Sequence, residues 1–354
     1  MKNNFFERVV DPNNKKIFVI AEMSGNHQGN FNSAKKFVNQ AIKNGADIIK
    51  FQVYKPDTIT LKTNKKDFIV RSSGSWGKFK TLYDLYEKAY TPWDWISKLA
   101  KILNSKNFPW FASPFDNSSV DFLEKLNCKA YKLASPEITD IPLIEKILST
   151  KKPIIISTGL ATESDIDIVV KKIKNKHKNF AILKCTSSYP NPLKDLNLSY
   201  ISEIKKKYCC AVGFSDHSIG DLAPKIAVTQ GATIIEKHFK NDEDNSSIDS
   251  HFSMKLSDLR KFKKELNDVK ITLGKKIITI SPSAKKNLYS RKSLYVSETI
   301  LKGHKFTIKN IKSVRPGFGM HPKYFKSIIG KKSLKNLTKG DRILKTHIKD
   351  FLIN

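Results

Sequence analysis

The sequence predicts a (β/α)8 barrel followed by a small β-rich unit, and three observations predict it. Short β-branched, apolar runs alternate with longer segments of helical periodicity. Eight such pairs occur before the pattern stops, the number that closes a parallel barrel. Beyond residue 273 the composition shifts to Pro, Ser and Lys with little periodicity. An open doubly wound sheet is the competing α/β arrangement. Against it, the first strand runs into Asn26-His27-Gln28-Gly29 and not into a GxGxxG phosphate turn.

The predicted strands are 17–24, 46–54, 109–115, 130–135, 153–159, 180–187, 211–217 and 233–239. Helical patterns at 33–44, 118–126, 141–148, 163–173 and 221–229 lie between them. Several open on capping residues, such as Asp116 and Thr162, whose side-chain oxygens satisfy free N–H groups of a first turn. The insert at 62–90 is long for a βα connection and holds Trp76, Tyr83, Tyr86 and Tyr90, so it is expected to be a flap over the site with a short helix. A last helix at 256–269 closes the first domain, 1–273. Residues 274–290 read as a linker, and 291–354 as a compact β-rich domain with strand-like runs at 294–296 and 342–344.

Composition excludes several classes. No apolar run approaches a membrane span, and the short stretch at 17–21 leads into Glu22, so neither a transmembrane segment nor a signal peptide is expected. The four cysteines, Cys128, Cys185, Cys209 and Cys210, lack metal or redox spacing and are expected to be reduced and mostly packed, in a cytoplasmic protein. A net charge of +31 invites a nucleic-acid reading. Only six arginines occur, the lysines spread over the whole chain, and no basic run carries interleaved aromatics. A solvated lysine-rich surface is the simpler account, so no nucleic-acid partner is expected.

In a barrel the reacting groups sit at the C-terminal ends of the strands. Here these ends carry Glu22 and Ser24; Lys50 and Gln52; Ser113; Lys132 and Ser135; Ser157; Ser187 and Tyr189; Ser215, Asp216 and His217; Glu236 and His238. One polar terminus means little, whereas eight in agreement point to a shared polar pocket. Two lysines on separate strands, with the serine hydroxyls, suit an anion bearing several oxygens, such as a phosphate beside a carboxylate. His217 and His238 end neighbouring strands and together suit one divalent ion of the Mn²⁺, Co²⁺, Fe²⁺ or Zn²⁺ kind. Glu22 and Asp249 are the carboxylates placed to act as base or as acceptor of a sugar hydroxyl. For Cys185, packing is the expected role.

The segments 21–29, 49–52, 130–135, 156–159, 184–190, 213–217 and 236–239 resemble the sialic acid synthase family, and the C-terminal part, with Val314-Arg315-Pro316-Gly317, resembles that family's antifreeze-like (SAF) domain. Within the family, 81–93 and 315–322 look most like the branch that forms pseudaminic acid. The resemblance implies a barrel, a domain-swapped homodimer and a divalent cation, most often Mn²⁺. It implies condensation of phosphoenolpyruvate with an N-acylated amino sugar, for this branch 2,4-diacetamido-2,4,6-trideoxy-L-altrose. N-acetylneuraminate or legionaminic acid synthesis is the alternative. It places phosphoenolpyruvate on Lys50, Ser113, Lys132, Ser135, Ser157, Ser187 and Ser215, and the metal on His217 and His238. Glu22, Gln52, Tyr189 and Asp249 then face the sugar and reacting carbons, and Arg315 reaches the partner subunit's pocket. The chain departs from the family at Ser246-Ser247-Ile248, just before Asp249, where a Gly-Gly-Pro loop is usual. A Schiff-base aldolase using Lys132 or Lys50, and a sugar- or nucleic-acid-binding protein, are the competing readings.

Overall fold

A computed structural model describes residues 5–71, 76–275 and 277–351. The chain divides into two compact units, Met1–Gly274 and Lys275–Asn354. In the first, eight parallel strands follow one another around a closed ring: β1 (Phe18–Glu22), β2 (Ile48–Val53), β3 (Trp110–Pro114), β4 (Tyr131–Leu133), β5 (Ile154–Ser157), β6 (Phe180–Cys185), β7 (Ala211–Asp216) and β8 (Ile234–Lys240). Pairing of β1 with β8, from Phe18 opposite Ile234 to Glu22 opposite His238, closes the barrel. A short β9 (Met254–Lys255) extends from the end of β8.

The strands are nearly continuous apolar runs because both faces are covered, one by the barrel interior and one by helices. Each helix supplies a single apolar stripe. In Phe31–Lys43 the buried positions are Ala34, Phe37, Val38 and Ala41, spaced for one helical face, and Asn30 caps the first turn by accepting from the Asn32 N–H. The helices Trp93–Ser105 and Tyr200–Tyr208 belong to the same shell. The insert after β2 holds a 3-10 turn, Lys66–Phe68, and the helix Leu82–Ala89, capped reciprocally by Thr81 and Asp84. Residues 72–75 of the expected flap lie outside the described residues.

The second unit pairs β10 (Ser293–Val296) antiparallel with β11 (Ile311–Val314) around a core of Leu294, Val296, Phe306, Ile311 and Ile343. The strand-like run at 342–344 contributes one isolated bridge, Tyr295 to Arg342. The stretch expected as a linker is shorter than 274–290. Residues 288–290 form a turn whose Tyr289 carbonyl accepts the Gly317 N–H at 2.8 Å, within the second unit.

Candidate active site

A cavity of about 580 Å³ opens at the C-terminal ends of the barrel strands. Of the predicted strand-end residues, Ser24, Lys50, Gln52, Lys132, Ser135, Ser157, Tyr189, Ser215, His217, Glu236 and His238 line it, and so does Asp249, whereas Glu22, Ser113, Ser187 and Asp216 are not on its wall. Neighbouring parallel strands set these side chains in register, with Glu22 opposite Lys50, Ser215 opposite Glu236, and Glu22 opposite His238.

Lys50 is the hub of the floor. Its Nζ lies 2.6 Å from Glu22 Oε2 and 3.1 Å from Glu236 Oε1, and donates to Ser113 Oγ at 3.2 Å. Burial opposes its charge, yet the two carboxylates outweigh burial and raise its pKa. Ser113 and Glu22 therefore form the layer beneath the cavity. Glu22 has both oxygens engaged, one by Lys50 and one by the Ser24 N–H at 2.6 Å. From that place Glu22 sets the position and charge of Lys50.

Lys132 differs. Its Nζ donates to Ser157 Oγ at 2.5 Å and to the Leu133 carbonyl at 3.2 Å. Burial is the largest influence on it and brings its pKa to about 8. A buried ammonium in this state gains much from an incoming anion.

Beside it lies a small cradle. The Gly159 N–H donates to Ser135 Oγ at 2.8 Å. A Cβ on Gly159 would stand 2.3 Å from Ser187 Oγ, 2.8 Å from Ser135 Oγ and 3.0 Å from the Ser187 nitrogen. Ser187 Oγ is buried without a hydrogen-bond partner of good geometry. A glycine is needed where two hydroxyls and two backbone N–H groups converge this closely.

The imidazoles of His217 and His238 stand 5.3 Å apart, centroid to centroid. His217 Nδ1 donates to the Thr186 carbonyl at 3.1 Å, so Nε2 is the nitrogen left for a ligand; burial opposes the charge of this ring, but Cys185 and Thr186 raise its pKa. Burial, reinforced by His217, Lys50 and Lys237, holds His238 well below the usual imidazole range, so it is neutral. His238 Nδ1 is buried without a hydrogen-bond partner and lies 3.9 Å from Asp249 Oδ2. Among the described residues no cluster of three or more His, Cys, Asp or Glu side chains is arranged to hold a metal. Two imidazoles with the remaining positions left to water and substrate supply the donor types of a catalytic, open divalent site, with His217 giving up its proton to an incoming cation. Each histidine is anchored from behind. Asp216 and Lys237, their chain neighbours, form a fully buried pair at 2.5 Å, and Lys237 also donates to the Ser218 carbonyl at 2.7 Å.

Asp249 accepts from Ser24 Oγ at 2.7 Å and from the Gly25 N–H at 3.4 Å, and burial raises its pKa. Ser24 takes a left-handed backbone, φ 46°, to make this contact. The divergent loop before Asp249 is ordered without glycines. Asp244 Oδ1 accepts the N–H groups of Ser246 and Ser247 at 3.1 and 3.0 Å, and Ser253 Oγ bonds the Asp249 carbonyl. Tyr189 lies over His217, ring centroids 4.3 Å apart. Arg315 is on the second unit, exposed between exposed Val314 and Phe318.

The sequence reading missed one wall residue and gave two others no chemical role. Glu137, one turn after β4, lines the cavity; burial raises its pKa to about 7 and leaves Oε2 unpaired. Glu236 was recognised only as a polar strand end. Burial opposes its charge, but Lys50 and Lys132 keep it ionised. Cys185, expected to pack, is buried but lines the cavity with Sγ 3.9 Å from His217 Nδ1; burial opposes its ionisation, and His217 brings its pKa to about 7. Of the flap aromatics, Tyr86 and Trp76 line the cavity, whereas Tyr83 packs under Lys62.

Together the closed barrel and its charged floor define a (β/α)8-barrel enzyme. The chain belongs to the NeuB family, which matches residues 37–278, and residues 291–349 match the SAF domain. It is 42% identical over 330 residues to the pseudaminic acid synthase of Campylobacter jejuni, covering 93% of this chain and 96% of that protein. It is 37% identical to the pseudaminic acid synthase of Helicobacter pylori, over 90% of this chain and 94% of that one. The crystal structure of N-acetylneuraminic acid synthetase from Leptospira borgpetersenii, in complex with citrate, superposes with a TM-score of 0.67 at 32% identity, covering 77% of this chain and 90% of that chain.

Proposed function

We propose that this enzyme condenses phosphoenolpyruvate with 2,4-diacetamido-2,4,6-trideoxy-L-altrose and water, giving pseudaminic acid and phosphate. The observation that carries the reading is the convergence of Lys50, Lys132 and the Ser135–Gly159–Ser187 cradle in one cavity with the His217–His238 pair. The similarity to pseudaminic acid synthases supports the choice of acceptor.

In this mechanism Lys132, Ser157 and the cradle hold the phosphate, and Lys50 with Ser215 turns the carboxylate end toward the floor. Carbon 3 of phosphoenolpyruvate forms a bond to the aldehyde carbon, and water adds at carbon 2. The tetrahedral product of that addition loses phosphate by C–O cleavage. Mn²⁺, or a similar cation held by His217 and His238, would supply Lewis-acid polarisation of the aldehyde oxygen. Glu236 and Glu137, at the cavity surface, carry the water and hydroxyl protons, with Glu22 steadying Lys50. Gln52, Tyr189 and Asp249 orient the sugar. Preorganised charge and proximity supply the rate.

Two further parts belong to this proposal. Arg315 reaches a partner subunit's sugar site in a domain-swapped homodimer. The exposed Leu160, Leu193, Ile219 and Leu222, in the segments that follow β5, β6 and β7, offer apolar surface for such a partner. The enzyme works in the cytoplasm, where phosphoenolpyruvate is made. Its four cysteines are free, and none of its described helices is long and apolar enough to cross a membrane.

Phosphate release from phosphoenolpyruvate, dependent on this acceptor, tests the reading; release from phosphoenolpyruvate alone, or none at all, would remove it. Excess EDTA is expected to lower turnover at least ~100-fold and added Mn²⁺ to restore it. Full turnover in EDTA would eliminate the cation. Lys132 gives a pH signature. Only its protonated form attracts the dianion, so affinity is complete below its pKa of about 8 and falls as pH rises through that value. The KM for phosphoenolpyruvate should climb toward ~10-fold per pH unit above that point. A KM flat to pH 9.5 would contradict this placement.

A further inference from the structure

The loop after β1 joins two parts of the site that are far apart in the chain. Ser24 and Gly25 hold the Asp249 carboxylate, and the Gln28 N–H donates to Ser247 Oγ at 3.0 Å, so this loop fixes the segment that carries Asp249. Its other side meets the flap. A Cβ on Gly25 would stand 3.4 Å from the Ala89 carbonyl oxygen and 3.7 Å from Asp249 Oδ2, which puts the end of the helix Leu82–Ala89 and that carboxylate on two sides of one glycine. Leu82, Leu85, Tyr86 and Ala89, on one face of that helix, line the cavity. At the junction stands His27, 2% exposed and used by no step above. Its Nδ1 accepts the Gly29 N–H at 3.1 Å, so the ring proton is on Nε2. Nε2 is buried facing the Ala89 and Tyr90 carbonyls, in hydrogen-bonding geometry with neither. The Trp95 indole meets the ring edge-on, centroids 5.6 Å apart, and burial brings the pKa of His27 down to about 4, so the ring is neutral.

We propose that His27 is a positioning residue for the acceptor: its Nε2–H fastens the end of the flap helix, through the Ala89 carbonyl, to the loop that holds Asp249. The inference rests on the condensation proposed above and adds how two distant segments are brought to one sugar. A buried N–H that stops short of its acceptor is costly, and a small inward movement of the helix end would complete the bond. Hydrogen bonds in active sites often tighten only once substrate is bound. An acceptor held between Asp249 and Tyr86 supplies the pull, and His27 secures the helix where the pull leaves it. The cradle assigned to phosphoenolpyruvate is built elsewhere, on Ser135, Gly159 and Ser187 after β4, β5 and β6, so the two substrates report on different ground.

Two substitutions separate the two bonds of the ring. His27→Gln keeps a donor near the place of Nε2, whereas His27→Asn keeps an acceptor near the place of Nδ1. With phosphate release as the readout, His27→Asn should raise the KM for the acceptor by about 10- to 30-fold and move that for phosphoenolpyruvate by ~2-fold at most. His27→Gln should stay within ~3-fold of the wild-type enzyme for both substrates. A role confined to shaping its own loop through Gly29 gives the opposite order, with Asn tolerated and Gln not. That opposite order, an equal rise in both KM values, or a His27→Asn enzyme with the wild-type KM overturns the inference. Amide exchange on the wild-type protein decides even where the variants do not fold. With phosphoenolpyruvate present, the acceptor reduced to its alditol has no aldehyde to react. At a concentration that competes with the aldehyde acceptor, it should slow exchange over residues 82–90 by ~10-fold or more, which phosphoenolpyruvate alone should not do. Unchanged exchange under that condition also overturns the inference. Absence of phosphate release from the wild-type enzyme is a different failure: it refutes the condensation itself, and this inference with it.

Discussion

Lys50→Met should abolish turnover, by ~10³-fold or more, and destabilise the protein by about 3–5 kcal/mol. Lys50 is 3% exposed and is the only cation within ion-pair distance of Glu22 and Glu236 among the described residues. Removing it leaves two carboxylates buried against each other. Their charges were tolerated only because an ammonium stood between them, and the penalty for stranding a buried charge exceeds what the pair contributed. Adding Glu22→Gln to Lys50→Met should return much of the lost stability and none of the activity. Thermal melts of the parent, single and double variants, with phosphate release measured on each, give the answer. A Lys50→Met protein as stable as the parent would show that the floor is wetter than its burial implies.

Gly159→Ala should raise the KM for phosphoenolpyruvate by about 10- to 100-fold while moving the melting temperature little. Gly159 does not lie in the left-handed region, so the backbone accepts alanine. The cost lies in the cradle. The new methyl group would occupy the space of Ser187 Oγ, 2.3 Å away, and that hydroxyl must swing out of the position where it receives an oxyanion. Gly213→Ala makes the contrast. There the methyl group would stand 2.2 Å from the Ile234 carbonyl oxygen, between β7 and β8, and backbone cannot move aside as a serine can. That variant should lose stability first. If Gly159→Ala binds phosphoenolpyruvate normally, the cradle has been assigned to the wrong anion.

The barrel was legible because a parallel strand buried on both faces must be an apolar run, and each such run ends where side chains turn from core to cavity. The observed β1 to β8 fall inside or within one residue of the predicted runs, shorter mainly at their ends. Polar residues at those ends carried the floor. What escaped has physical reasons. Glu137 lies past the strand end in a 3-10 turn, where no periodicity says which way a side chain points. Tyr83 and Tyr86 are equivalent in composition and separated only by helical phase; the spacing of Leu82, Leu85, Tyr86 and Ala89 contained that phase. Cys185 looked like core because alternation along β6 says only inward, and inward at that height is cavity.

Asp216 and Lys237 bear on how the barrel finds its closure. β8 must join β7 and then β1, a segment more than two hundred residues earlier in the chain, using parallel hydrogen bonds that look alike at every step. A slip of one residue would keep those hydrogen bonds and point Phe239 where His238 belongs. It would also set the ammonium of residue 237 against hydrocarbon, away from the carboxylate it faces when Asp216 and Lys237 are directly opposed. An isolated charge in that interior is too costly to persist. The pair therefore acts as a key that only one alignment can turn, and the imidazoles on either side inherit their spacing from it.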